Sequence, residues 1–89
     1  MQQVHLIISG TVQGVFYRAS CQDVAVKYGL NGYVKNLLNG QVEVIAQGEK
    51  EQLEKLVEWC KKGPPHAQVD NVEITWEDVD KTHNAFTVL

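Results

Sequence analysis

Asn31-Gly32-Tyr33-Val34-Lys35-Asn36-Leu37-Leu38-Asn39-Gly40-Gln41-Val42-Glu43-Val44-Ile45-Ala46-Gln47 lies near the middle of the chain. It holds two extended runs joined by Asn39-Gly40, and an Asn-Gly pair in that setting is the strongest short-range hairpin signal. One strand is expected over residues 31–37 and the next over 41–47. Val42, Val44 and Ala46 fall on one face of the second run, with Glu43, Ile45 and Gln47 opposite. A helical pattern flanks the hairpin on each side. Upstream, Cys21, Val24, Ala25 and Tyr28 share one helical face over residues 18–28, and Gly29 suits the stop. Downstream, Glu49 and Glu51 favour the positive end of a helix whose apolar stripe is Leu53, Leu56, Val57 and Cys60. Lys61 and Lys62 complement its far end, and Gly63-Pro64-Pro65 ends it.

Strands close the pattern at both ends. Val4, Leu6 and Ile8 alternate with His5, Ile7 and Ser9 over residues 4–9. A last long strand is expected over residues 68–79, with Val72, Ile74 and Trp76 on one face. A polar turn over residues 80–84 precedes a short closing strand at Phe86 and Val88. The order β-α-β-β-α-β predicts an α+β, ferredoxin-like sandwich, an antiparallel sheet with two helices on one face.

At 89 residues and 10.0 kDa, residues 1–89 are expected to form a single small domain. The composition, 44% hydrophobic and 21% charged, excludes a disordered chain. The longest apolar runs are three residues, such as Leu6-Ile7-Ile8, so no membrane span is expected. Met1-Gln2-Gln3 starts no signal-peptide pattern, which makes the cytoplasm the expected location. A net charge of −3 argues against nucleic acid as a partner. The charge is uneven: residues 1–42 carry Arg18, Lys27 and Lys35 against Asp23 alone, and Arg18 is the only arginine. Cys21 and Cys60 lie on apolar helix faces, and His5, His66 and His83 are scattered, so no zinc site is read. Free thiols are expected, with a disulfide open if the helices are neighbours.

Gly10-Thr11-Val12-Gln13-Gly14-Val15-Phe16-Tyr17-Arg18 joins the first strand to the first helix. Glycines permit positive φ, successive amides can form a nest, and a helix N-terminus adds free N–H groups. Arg18 would place a bidentate donor on the same anion, most simply a phosphate. An ordinary strand-to-helix turn with an exposed arginine is the competing reading. The loop is neither a Walker A motif, lacking Gly-Lys-Ser/Thr, nor a dinucleotide fingerprint.

This segment closely resembles the first signature of the acylphosphatases. Gly32-Tyr33-Val34-Lys35-Asn36, followed by Asn39-Gly40-Gln41-Val42-Glu43, resembles the second. The resemblance spans essentially the whole chain. It implies hydrolysis of a small-molecule acyl phosphate to a carboxylate and inorganic phosphate, without metal or cofactor. It also implies roles for single residues. Arg18 would bind the transferred phosphoryl group. The backbone of Gln13, Gly14, Val15, Phe16, Tyr17 and Arg18 would form the phosphate cradle. Asn36 would position the attacking water. Lys35 departs from the arginine common in the family, and Leu37, Leu38 and Asn39 replace a stretch that is often more polar. Both departures are expected to bear on pH optimum or substrate preference.

The chemistry is self-consistent. Phosphoryl transfer relies on positioning and electrostatics, which an arginine and a ring of amides supply. A carboxylate leaving group, with a conjugate-acid pKa of about 4, departs without a general acid. Taken alone, Asn36 could be turn chemistry before Asn39-Gly40, and Tyr33 and Trp76 read as core or sheet-face aromatics. His5 reads as a surface residue, and Ser9 and Ser20 have no histidine partner for a nucleophile role. A non-catalytic phosphate or acyl-phosphate binding module is the alternative function. An RNA-recognition sheet shares the strand order but expects basic surroundings. A monomer is expected.

Overall fold

A computed structural model describes all of residues 1–89. The elements are β1 (Gln2–Thr11), α1 (Tyr17–Lys27), β2 (Asn31–Asn36), β3 (Val42–Gln47), α2 (Lys50–Lys62), β4 (Gln68–Asp78) and β5 (Phe86–Val88). The five strands lie in the order β4-β1-β3-β2-β5. The first four pair antiparallel, as the ferredoxin-like plan requires, and β5 adds a parallel partner to β2.

Strand alternation sends Val4, Leu6, Ile8, Val34, Val42, Val44 and Ala46 to one face. There they form one buried cluster with Tyr17, Cys21 and Ala25 of α1 and Leu53, Leu56, Val57 and Cys60 of α2. Both helices therefore cover the same face. Their inner contact is fixed by Tyr17, whose hydroxyl donates to the Cys60 carbonyl at 2.7 Å and whose ring lies 5.2 Å from that of Trp59. The Cys60 carbonyl is one of the last in α2, where the helix offers no amide partner, so the phenol supplies one. Cys21 and Cys60 are free and buried. The neighbouring Cys60 thiol, together with burial, pushes the Cys21 thiol well above its ordinary range.

Two elements add detail to the sequence expectation. The hairpin is not closed by a two-residue turn at Asn39-Gly40. Leu37 N donates to Gln41 O at 2.8 Å, and Gly40 N to Leu37 O at 3.2 Å, which leaves Leu38, Asn39 and Gly40 as a three-residue loop. Only Gly40 has positive φ there, at 91°, whereas the two-residue type I′ turn needs it at both central positions. On β4, Ile74 and Trp76 stand opposite Leu6 and Val4, on the helix-covered side. They remain 38% and 39% exposed because β4 is the outer strand.

The uncovered face carries a polar cluster. Glu43 lies 2.8 Å from His5 Nε2, accepts from the Tyr33 hydroxyl at 3.1 Å, and lies 3.6 Å from Lys35 Nζ. Burial alone would raise its pKa, but the His5 and Tyr33 hydrogen bonds and the His5 and Lys35 charges outweigh it and hold the carboxyl below its usual value. A carboxylate whose folded pKa is depressed stabilises the fold above the unfolded pKa and loses that contribution as pH falls through the folded value. Glu43→Gln is therefore expected to melt lower than the parent at neutral pH, by on the order of 1 kcal/mol for a half-exposed cluster. The difference should vanish below the folded pKa, and thermal melts from pH 7 down to 2 measure it. An equal difference at both ends would exclude the electrostatic account.

Candidate active site

The loop between β1 and α1 begins at an irregularity. The β1–β4 register shifts between Ser9 and Gly10. Gly10 has φ +131°, and a Cβ there would stand 2.1 Å from the Gln68 carbonyl oxygen. Only glycine lets the two backbones approach so closely while the chain turns out of the sheet. Val12, almost fully buried, pins the far side of the turn. Gln13 ties the loop to the hairpin by donating from Nε2 to the carbonyls of Leu37 and Gln41, each at 2.8 Å. Gly14 at φ 76° and Phe16 at φ 64° then place two left-handed residues around Val15.

The consequence lies in the backbone amides. None from Gln13 to Ala19 donates a hydrogen bond to any protein group, and the first that does is Ser20 N, to Phe16 O at 3.1 Å. No side chain caps α1, and its first turn holds no acid. Seven consecutive N–H groups and the positive end of a helix dipole are thus left without an internal acceptor. Arg18 joins them. Its Nη1 donates to the Leu89 main-chain oxygen at 3.0 Å, and no Asp or Glu side chain pairs with it. The guanidinium is held from one side while its charge stays unneutralised by any carboxylate side chain.

Asn36 arrives from the other direction, as the last residue of β2. Its place in the alternation puts it on the helix side with Val34, facing away from Lys35 and Glu43. Its Oδ1 is buried and accepts no hydrogen bond from the protein. The turn chemistry belongs to Asn39 instead: its Oδ1 accepts from Gln41 N at 3.1 Å, and its Nδ2 donates to Gln41 Oε1 at 2.7 Å. Arg18 and Asn36 open onto one cavity of about 280 Å³, lined also by Val12, Gly14, Phe16, Tyr17, Ala19 and Val88. A larger cleft of about 560 Å³ lies beside Ser20, Trp59, Lys62 and Gly63-Pro64-Pro65, but only Lys62 brings a charge to it.

A sequence model described as Acylphosphatase matches residues 4–88. The chain belongs to the acylphosphatase family. It is 40% identical over 86 residues to the Acylphosphatase of Pelotomaculum thermopropionicum, covering 97% of this chain and 94% of that relative. A crystal structure of acylphosphatase from Bacillus subtilis superposes with a TM-score of 0.97 at 36% identity, covering 100% of this chain and 99% of that one. An acylphosphatase from Coxiella burnetii superposes with a TM-score of 0.89 at 43% identity, covering 99% and 92%.

Within this acylphosphatase-family fold, the expected site residues are distributed unevenly. Gly14, Phe16, Tyr17, Arg18 and Asn36 line the cavity, whereas the Gln13 side chain turns to the hairpin and Val15 packs against the core. Lys35 lies on the uncovered sheet face, paired with Glu43, and Leu38 projects from the hairpin tip into solvent. Lys35, Leu37, Leu38 and Asn39 do not line the cavity. Sequence reading missed Val88 and Leu89, which come from the far end of the chain and carry no local signal.

Proposed function

We propose that this chain hydrolyses acyl phosphates to a carboxylate and inorganic phosphate, by direct attack of water on a phosphoryl group held by Arg18 and the loop amides. Family membership supports the reaction class. The observation that carries the site assignment is the run of seven unpaired amides from Gln13 to Ala19 beside an arginine free of any carboxylate side chain. The first turn of any helix leaves amides without intrahelical acceptors, and here the loop before it adds those of Gln13 to Phe16, so that solvent or a bound anion supplies the acceptors. A trigonal array of phosphoryl oxygens, on which charge builds in the transition state, satisfies several of these amides together with the guanidinium fork.

The Asn36 carboxamide, which lines the cavity, orients the attacking water so that its lone pair faces phosphorus. A carboxamide is a poor base, so the water proton passes to a phosphoryl oxygen. The P–O bond to the acyl group breaks, and the carboxylate leaves with that electron pair. With a conjugate-acid pKa of about 4, it needs no general acid. A phosphomonoester, whose alkoxide leaves as a strong base, is left unhydrolysed by the same groups. The chemistry calls for no group from a second chain, and we read the protein as a monomer. No helix is long and apolar enough to cross a membrane.

The test compares an acyl phosphate with a phosphomonoester, with and without EDTA. Turnover of the first alone, at a rate unaffected by the chelator, is the expected result. The arginine and amides already stabilise the charge that a Lewis acid would otherwise meet. A rate lost to EDTA and restored by magnesium or zinc would overturn the metal-free mechanism. Binding of phosphate without turnover of either ester would favour the alternative, a non-catalytic binding module.

A further inference from the structure

Phe16 is the one non-glycine residue with positive φ, at 64°, and its side chain is 79% exposed. Both facts count against it as a folding residue. A left-handed backbone is strained for any side chain with a Cβ, and an exposed ring contributes little burial. Glycine would give the same turn without strain, as Gly14 does two residues earlier. The ring is therefore not needed for the shape of the loop. It lies instead at the cavity that holds Arg18 and Asn36, where five of the eight lining residues are hydrophobic. A phosphoryl group has no use for an apolar wall, but the other half of the substrate does. The same N-terminal turn of α1 carries Ser20, whose amide bonds to the Phe16 carbonyl and whose side chain borders the neighbouring cleft. Phe16, lining the cavity and largely exposed, thus stands where the phosphate site meets solvent.

We infer that the Phe16 ring is the contact for the acyl group, and that this site favours acyl phosphates whose acyl chain is apolar or aromatic. The inference rests on the hydrolytic reading above and adds the substrate class to it. The ring packs against the acyl carbons while the amides and Arg18 hold the phosphoryl group. Phe16 is a specificity-determining residue acting through its side chain, separate from the part its amide plays in the cradle.

The experiment measures kcat and KM for acetyl phosphate and for an aromatic acyl phosphate with the full chain and with Phe16→Gly, Phe16→Asn and Phe16→Trp. Glycine and asparagine both tolerate the left-handed conformation, so either keeps the loop path if the other fails to fold. The ratio of kcat/KM, aromatic over acetyl, is expected to fall about tenfold in both, mainly through KM, as losing one apolar contact implies. Tryptophan should restore it. A ratio unchanged in the glycine and asparagine variants overturns the inference, whatever the absolute rates, and leaves the hydrolytic reading standing. A parent protein that turns over neither substrate overturns both.

Discussion

Arg18→Lys is expected to fold and to melt near the parent temperature, yet to hydrolyse acyl phosphates at a rate lower by about a thousandfold. Arg18 is half-buried, and its one internal contact is a 3.0 Å hydrogen bond to the Leu89 main chain, so little of the fold depends on it. The loss falls on the transition state. A guanidinium can donate to Leu89 through Nη1 and still present other N–H groups in a planar fork to two phosphoryl oxygens. An ammonium is a point charge on a flexible stem and cannot keep both. Because the fork already grips the phosphoryl group in the ground state, though less strongly than in the transition state, the inhibition constant for free phosphate should also rise. Steady-state kinetics with phosphate as a competitive inhibitor, alongside a thermal melt, measure all three quantities. A folded Arg18→Lys protein with parental turnover would remove the central claim.

Asn36→Ala should behave differently. Phosphate affinity is expected to stay close to that of the parent, because Arg18 and the loop amides are intact, while kcat falls by about a hundredfold or more. Stability should not fall. The hairpin is closed by Asn39 and by the Leu37–Gln41 backbone bond, neither of which involves the Asn36 side chain. Its buried Oδ1 has no partner, and removing an unsatisfied acceptor costs the fold no hydrogen bond. The asymmetry is the discriminating feature: Arg18 variants lose affinity and rate, Asn36 variants chiefly rate. An Asn36→Ala protein with normal melting and full kcat would sink the water-positioning role.

Much of the fold was legible because its signals are local. The alternation in residues 4–9 and 41–47 and the helical stripes at Cys21–Ala25 and Leu53–Cys60 each follow from the repeat of one element, and they recur as the buried cluster. The strand order then leaves few ways to bury two one-sided helices. What failed to show was pairwise and distant. Ile74 and Trp76 have the right parity for the core, but parity says nothing about where a strand stands in the sheet, and β4 is at its edge. The Asn-Gly pair marked the turn, and the strand ends read at residues 37 and 41 leave the three-residue loop that the Leu37–Gln41 backbone bond closes.

For the site, the sequence by itself determined the chemistry available: one arginine, a glycine-bearing loop at a helix start, and an asparagine at the end of a strand. Residue type and spacing are local properties, and the resemblance to a family added what those residues do together. Only the tertiary structure decided which groups face the cavity. The sheet registers carry Asn36 inward and Lys35 outward, one residue apart, since a strand alternates its faces. The bulge at Gly10 and the left-handed Phe16 turn the loop so that seven amides are left without internal acceptors. Leu89, 71 residues from Arg18, holds the guanidinium only because β5 packs beside β2. Such contacts depend on where separate elements dock, and docking is set by the whole core at once rather than by any stretch of sequence that can be read alone.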